Sequence, residues 1–455
     1  MVIQLKLFLR FAPLPFLLST AIAFSAEILP ESSWQQLLSR GQKLQASGHY
    51  TEAESSFQSA LDQAPTPVAK ARSMNYLGVA KQIRGDYPAA DALYRAALHI
   101  CEQYPAALDL AAILLNQARL YRVEGKFEQA EALCRKALAI HRSQLRPDHP
   151  SIADTLDTLG WMQLRLGRYA DAQSAYTESL AIRKANPMNQ LDLAGTMNDF
   201  AFLRYSMGRY ADAEKMYRQA LATRQEALGT EHPDVADTMV RLADVYRAQH
   251  LLTKSEHLLV DAIPILEASL GPESLHVANA SNNLGVLYYD EGRTDEAAPL
   301  FRRALEIDQK ALGNNHLQVA SVLSNLALID SDRHAYHDAE ELYTRALAIE
   351  EKAVGPDHPE VAAMLNNLAQ IYSFEGRYDD AEKLYVRAID IWKRTLGPAH
   401  PDVAGCLLNY AAVLRKDHHK KEAGEMEARA RKSRAMHDRD APNDGLVDWH
   451  ELQRK

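Results

Sequence analysis

Histidine followed by proline recurs at His149-Pro150, His232-Pro233, His358-Pro359 and His400-Pro401, and imidazole is the commonest side-chain metal ligand. A zinc site needs three or four donors converging on one point. These histidines instead follow the spacing of an internal repeat, which strings them along one edge and gives them loop and helix-cap roles. His418-His419 stands alone in a Lys-rich turn and makes no ligand set. Cys101, Cys134 and Cys406 are too few and too far out of register for a disulfide framework, and read as packing thiols. No HExxH, phosphate-cradling glycine loop or Ser/His/Asp arrangement occurs. No catalytic residue, metal site or cofactor is assigned, and a non-enzymatic protein is expected.

Asp440, Asp444, Asp448 and Glu451, with Gly445 between them, follow the order of a calcium-binding loop. Pro442 stands where a third ligand belongs, and only four residues follow Glu451, so a complete helix–loop–helix hand is excluded. A half-loop is one reading. The favoured one folds the tail back on the last helices through Leu446, Val447 and Trp449.

The richest polar pattern is a column of side chains recurring once per repeat: Asn116, Thr158, Asp199, Arg241, Asn283, Asn325, Asn367 and Asn409. A primary amide offers both a donor and an acceptor, so a row of asparagines can pair with the backbone of an extended peptide whatever its side chains. The competing reading has the same amides bonding neighbouring helices and holding the array together. Trp161, Phe202, Val286, Leu328 and Phe374 share the face, and Trp161 and Phe202 would suit an apolar anchor of a bound segment. Burial of these groups by tightening of the array is the alternative.

These side chains are positioned by a motif of about 42 residues. "GRYDDAEKLYVRAI" begins at Gly376, and versions begin at Gly125, Gly167, Gly208 and Gly292, with His250, His334 and His418 in the glycine's place. Val361, Leu365, Leu368 and Tyr372 recur at helical spacing on a first helix. Gly376 supplies a turn, and a second helix follows with Ala381, Leu384, Tyr385, Ala388 and Ile391 on one face. Gly397-Pro398 stops it, and Pro401 opens the next first helix. Ala172, Ala213, Ala297, Ala339 and Ala381 each precede by four residues a large ring: Tyr176, Tyr217, Phe301, Tyr343 or Tyr385. Shorter units begin at Gly48 and Gly85. Glu427 replaces the ring in the last unit, as an uncovered end requires. Pro264, inside one second helix, predicts a bend and a local change of curvature.

Small residue, ring and proline at this spacing resemble the tetratricopeptide repeat, and the 42-residue wording resembles its kinesin light chain variety. The resemblance implies an all-α fold, a superhelical solenoid of about ten antiparallel helix pairs. It also implies that asparagines of the column line a concave groove that holds a peptide. The candidate groove residues are Asn116, Trp161, Phe202, Asn283, Asn325, Asn367, Asn409 and Phe374.

Four segments follow: a leader at 1–26, two short repeats at 33–104, eight long ones at 105–437, and a tail at 438–455. Lys6 and Arg10 ahead of an apolar run to Ala26, with Ala21-Ile22-Ala23 and Ala23-Phe24-Ser25 at its end, read as an export signal. The expected location after cleavage is periplasmic or secreted. The formal net charge of −9, with scattered lysines, offers no basic stripe, and no nucleic-acid partner is expected. No membrane span is expected in the mature chain. The expected function is a scaffold that binds an extended segment of another protein. The alternative is an assembly subunit of an envelope complex that docks by its outer face or ends.

Overall fold

The computed structural model describes residues 33–46, 49–84, 86–104, 106–185 and 189–440. Among the described residues there are twenty α-helices and no strand. In chain order they are α1 (Ser33–Ala46), α2 (Tyr50–Asp62), α3 (Pro67–Ile83), α4 (Tyr87–Gln103), α5 (Ala107–Val123), α6 (Phe127–Gln144) and α7 (Pro150–Arg165). Then come α8 (Tyr169–Ala185), α9 (Gln190–Ser206), α10 (Tyr210–Leu228), α11 (Pro233–Ala248), α12 (Leu252–Leu270), α13 (Leu275–Asp290) and α14 (Thr294–Leu312). The last are α15 (Leu317–Asp332), α16 (Tyr336–Val354), α17 (Pro359–Phe374), α18 (Tyr378–Thr395), α19 (Pro401–Lys416) and α20 (Lys420–Asp440). The chain forms two compact units, one running to Leu203 and taking in Gln219–Ala227, the other made of Arg204–Arg218 and Leu228 onward. In the first, α1 pairs with α2, α3 with α4, α5 with α6 and α7 with α8, and each pair packs on the next. The second repeats the arrangement from α11/α12 to α19/α20.

Local chemistry sets the helix ends. The imidazole Nδ1 of His149, His232, His358 and His400 accepts a hydrogen bond from the backbone N–H two residues on, at 3.2–3.3 Å. This satisfies one of the orphan donors of each first helix. These histidines are caps, as their spacing indicates, and His316 caps α15 in the same way at 3.2 Å. The turn into each second helix needs a left-handed residue: Gly125, Gly167, Gly208, Gly292 and Gly376 take φ of 72–79° there. His250, His334 and His418 are forced into the same conformation, at 58°, 62° and 66°.

Most hairpins close around a ring; Cys134, Leu259 and Glu427 take its place in α6, α12 and α20. A Cβ added to Gly285 of α13 would lie 2.7 Å from Phe301 of α14; Gly78 faces Tyr94, and Gly41 faces Phe57, just as closely or more so. The first helix therefore keeps a small residue where the ring of the second presses against it. Tyr94, Tyr176, Phe301, Tyr343 and Tyr385 are all fully buried. α12 spans Leu252–Leu270 with Pro264 inside it.

Cys101, Cys134 and Cys406 are buried free thiols, and burial pushes Cys134 up to about 12. Such a thiol packs as a small apolar group and is not nucleophilic. In α20, Glu427 accepts from Arg415 of α19 at 2.7 Å, so a polar pair stands where earlier repeats bury a ring. The leader and the calcium-loop-like tail lie outside the described residues, apart from the last turn of α20.

Candidate interaction surface

The first helices are enclosed on almost every side. In α13 every residue from 277 to 287 is buried, and in α17 every residue from 361 to 371. Each such helix meets its own hairpin partner, the preceding second helix and, more lightly, the neighbouring first helices. The face opposite the main apolar stripe is therefore an interior surface as well.

Asn283, Asn325 and Asn367 are wholly buried there. Asn283 Nδ2 donates to Asp244 Oδ2 of α11 at 3.1 Å, and Asn325 Nδ2 donates across hairpins to Asn282 Oδ1 at 2.9 Å. Asn367 Oδ1 accepts from Asn366 Nδ2 at 3.2 Å, and Asn409 Nδ2 donates to Asn366 Oδ1 at 3.1 Å. In the first unit, Asn116 Nδ2 donates to Asn75 Oδ1 at 2.9 Å. Asn116, Asn283, Asn325 and Asn409 thus bond between adjacent first helices, while Asn367 is held by Asn366 of its own helix. Asn283, Asn325 and Asn367 do not face an open channel: burial in this packing forces each of these polar groups to find an internal partner. The neighbouring asparagines Asn282 and Asn366 complete the relay, and the sequence reading passed over them. Their signal was present in the paired asparagines at 282–283 and 366–367.

The remaining members of the asparagine column are also interior. Thr158 Oγ1 donates to the Asp154 carbonyl at 2.9 Å, and Arg241 Nε reaches Asp237 Oδ2 at 3.1 Å. Asp244, beside Asn283, is pushed up to about 8 by burial, against the opposing pull of Arg247 and Arg241. Trp161 and Phe202 are buried too, as are Val286 and Leu328. Trp161 packs edge-on against Phe127 at 5.7 Å, with Arg122 and Arg165 over its ring at 5.1 and 5.8 Å. Neither Trp161 nor Phe202 stands open as an anchor.

Phe374 differs. It is 36 % exposed at the end of α17, its ring stacked on Tyr336 at 5.3 Å. His334 meets Tyr336 edge-on at 5.7 Å, with a ring nitrogen 2.8 Å from the Tyr336 hydroxyl. Lys416 Nζ lies 5.1 Å from the Phe374 centroid. Three successive hairpins of the second unit thus supply one aromatic pair with the Lys416 ammonium over the Phe374 ring. Asn409 and Asn116, only partly buried, are the other candidates within reach of solvent.

A joint that sequence reading did not find lies within the first unit. Arg183 of α8 is buried and reaches Asp154 Oδ1 at 2.6 Å, Asp157 Oδ2 at 2.9 Å and Asp192 Oδ2 at 3.1 Å. Its Nε donates to Thr196 Oγ1 at 2.8 Å. Burial pushes the Asp157 carboxyl up, and the guanidinium opposes that. One buried base ties α7, α8 and α9 together. Among the described residues no group of three or more His, Cys, Asp or Glu side chains is arranged to hold a metal ion. No helix among them is long and apolar enough to cross a membrane.

Paired antiparallel helices closing on a small-residue-to-ring contact define a helical-repeat protein. The tetratricopeptide repeat profile matches residues 109–185, 192–268, 240–310, 276–352, 318–390 and 360–435, and a second profile of that description matches 71–104. The chain belongs to the tetratricopeptide repeat family, and no enzymatic family is indicated. Among solved structures it is similar to BtubC (BKLC) from P. vanneervenii, at 24% identity over 61% of this chain and 94% of that one, TM-score 0.35. It is likewise similar to nearly identical TPR-like repeats of a kinesin light chain candidate from Podosopora anserina, at 22% identity over 46% and 99%, TM-score 0.36. A third is a Rap protein complexed with Competence and Sporulation Factor, at 16% identity over 72% and 98%, TM-score 0.46. These likenesses concern the repeat alone. Comparison with curated proteins finds no match.

Proposed function

We propose that this chain is a non-enzymatic scaffold that binds an extended segment of a partner protein. Contact centres on the open edge where first helices turn into second helices. The observation that carries the reading is the platform of Tyr336, Phe374 and Lys416, contributed by three hairpins of a tetratricopeptide array. A part-exposed aromatic pair with an ammonium over one ring suits an apolar side chain with a neighbouring acidic group. Asn409, on the same run of hairpins, offers an amide to the segment's backbone. Asn283 and Asn325 serve the reading indirectly, by keeping the hairpins in register.

The test is selection of short peptides from a random display library on the full chain, followed by hydrogen exchange with a selected peptide. Protection at Phe374 and Tyr336, lost in Phe374→Ala with helicity unchanged, is the expected result. Failure to select any peptide, together with capture of folded partners alone, would favour the assembly reading. Val260 and Val386, each about half exposed on second helices, would then mark the docking face.

The leader reading is part of the proposal: the chain is exported, and its partner is met outside the cytoplasm. N-terminal sequencing of the protein from expressing cells should begin just after Ala23 or Ser25; an intact Met1 would contradict it.

A further inference from the structure

The joint around Arg183 has a counterpart in the second unit in which every charge is changed. Counted from each turn residue, the place of Arg183 is taken by Asp308 of α14. The places of Asp154, Asp157 and Asp192 fall to Asn279 and Asn282 of α13 and Gln318 of α15, and that of Thr196 to Val322. At the matching register positions, three acids and a base become three amides and an acid. Asp308 is 3 % exposed, and Asn279, Asn282 and Gln318 are buried with it. Asn282 is engaged elsewhere: its amide donates to Asn283, and its carbonyl accepts from Asn325. The other groups leave Oδ1 of Asp308, Oδ1 of Asn279 and Oε1 of Gln318 buried with no hydrogen-bond donor. All three atoms are acceptors. An ionised Asp308, with Oδ1 buried and unpaired, would be an uncompensated buried charge, which proteins avoid by taking up a proton.

We propose that Asp308 is a carboxylic acid in the folded chain and that its O–H supplies the donor missing from the α13–α14–α15 joint. The joint then tightens in acid and loosens when the proton leaves. Asp308 has no cation within influence, and burial alone pushes it up, to about 8. At the head of α15, His316 accepts from the Gln318 N–H through Nδ1 at 3.2 Å, and the paired charges on the packed helices are directed elsewhere. On α13, His276 faces Asp237 and Asp290 pairs with Arg247; on α14 itself, Lys310 pairs with Glu273 and Arg303 with Glu267. On α15, Asp330 lies under the influence of Asp338, Arg333 and Arg302, and Asp332 beside Tyr289. The sign follows from linkage. In the interval between the ordinary value of 3.8 and about 8, the folded joint holds a proton that the opened joint lacks. Its stability therefore falls as pH rises across that interval and is level above it.

Hydrogen exchange on the full chain between pH 5 and pH 8, corrected for intrinsic rates, reads this directly. Relative to Asp308→Asn, the opening constant of wild-type α13–α15 should rise by up to about tenfold per pH unit, with α17–α19 unaffected. Asp308→Leu, the side chain that Leu266 places in the preceding repeat, should show the same flat profile and stands in if the asparagine variant does not fold. Identical pH dependence in the wild type and the folded variant, or wild-type protection that grows with pH, would overturn the assignment.

Discussion

A buried amide that already bonds its neighbour has little left for a guest. Asn325 shows this best, because losing its side chain would leave Asn282 Oδ1 without its cross-hairpin donor. The column itself was legible from spacing. Its orientation was not, because apolar periodicity marks the most buried face of a helix and says nothing of whether the opposite face is also covered. His141 gives a residue-scale prediction of the reverse sign to that of Asp308. Buried against Thr155 at 2.9 Å, it is held below its ordinary value of 6.5 by burial, with Asp154 opposing. The unfolded chain then binds a proton that the folded one resists, so this contribution is complete above 6.5 and is lost as pH falls through the lowered value. Thermal unfolding at pH 7 and pH 5 should show a smaller acid loss in His141→Gln than in the wild type; equal losses would contradict it. His418 sits at φ 66°, where a side chain costs about 1 kcal/mol, so His418→Gly should stabilise by about 0.5–1 kcal/mol in urea unfolding. A loss of stability would mean that the imidazole makes a compensating contact.

At the scale of the helix, a close approach between first and second helix decides what can stand at each position. Gly285→Val would drive branched carbon into the Phe301 ring, which a Cβ alone already approaches to 2.7 Å. A cost of about 1–3 kcal/mol is expected from such overpacking, measured by chemical unfolding. A neutral outcome would show that α13 and α14 can separate freely. Hairpin boundaries, turn glycines and histidine caps were all legible, since each rests on local backbone chemistry. The joints around Arg183 and Asp308 were not, because they depend on three helices from consecutive repeats converging on one register position. A polar residue where another repeat has Leu266 or Trp392 was the only trace.

A repeat array has no single core, and each hairpin relies on the next for cover. The last hairpin provides that cover for α18, whose Tyr385, Ile389 and Trp392 join the cluster containing Leu407, Tyr410 and Leu414 of α19. Ending the chain at Leu396 should expose this cluster, lower the solubility of the protein and weaken protection of α17 and α18; unchanged exchange there would contradict a capping role. The central claim is a division of labour, in which interior asparagines hold hairpins in register and the open aromatic edge meets the partner. Asn325→Ala separates the two most directly when unfolding and binding of a selected peptide are measured on one preparation. The account predicts a loss of about 1–3 kcal/mol in stability with peptide affinity unchanged. Intact stability with affinity abolished would contradict it and return the asparagines to the binding site.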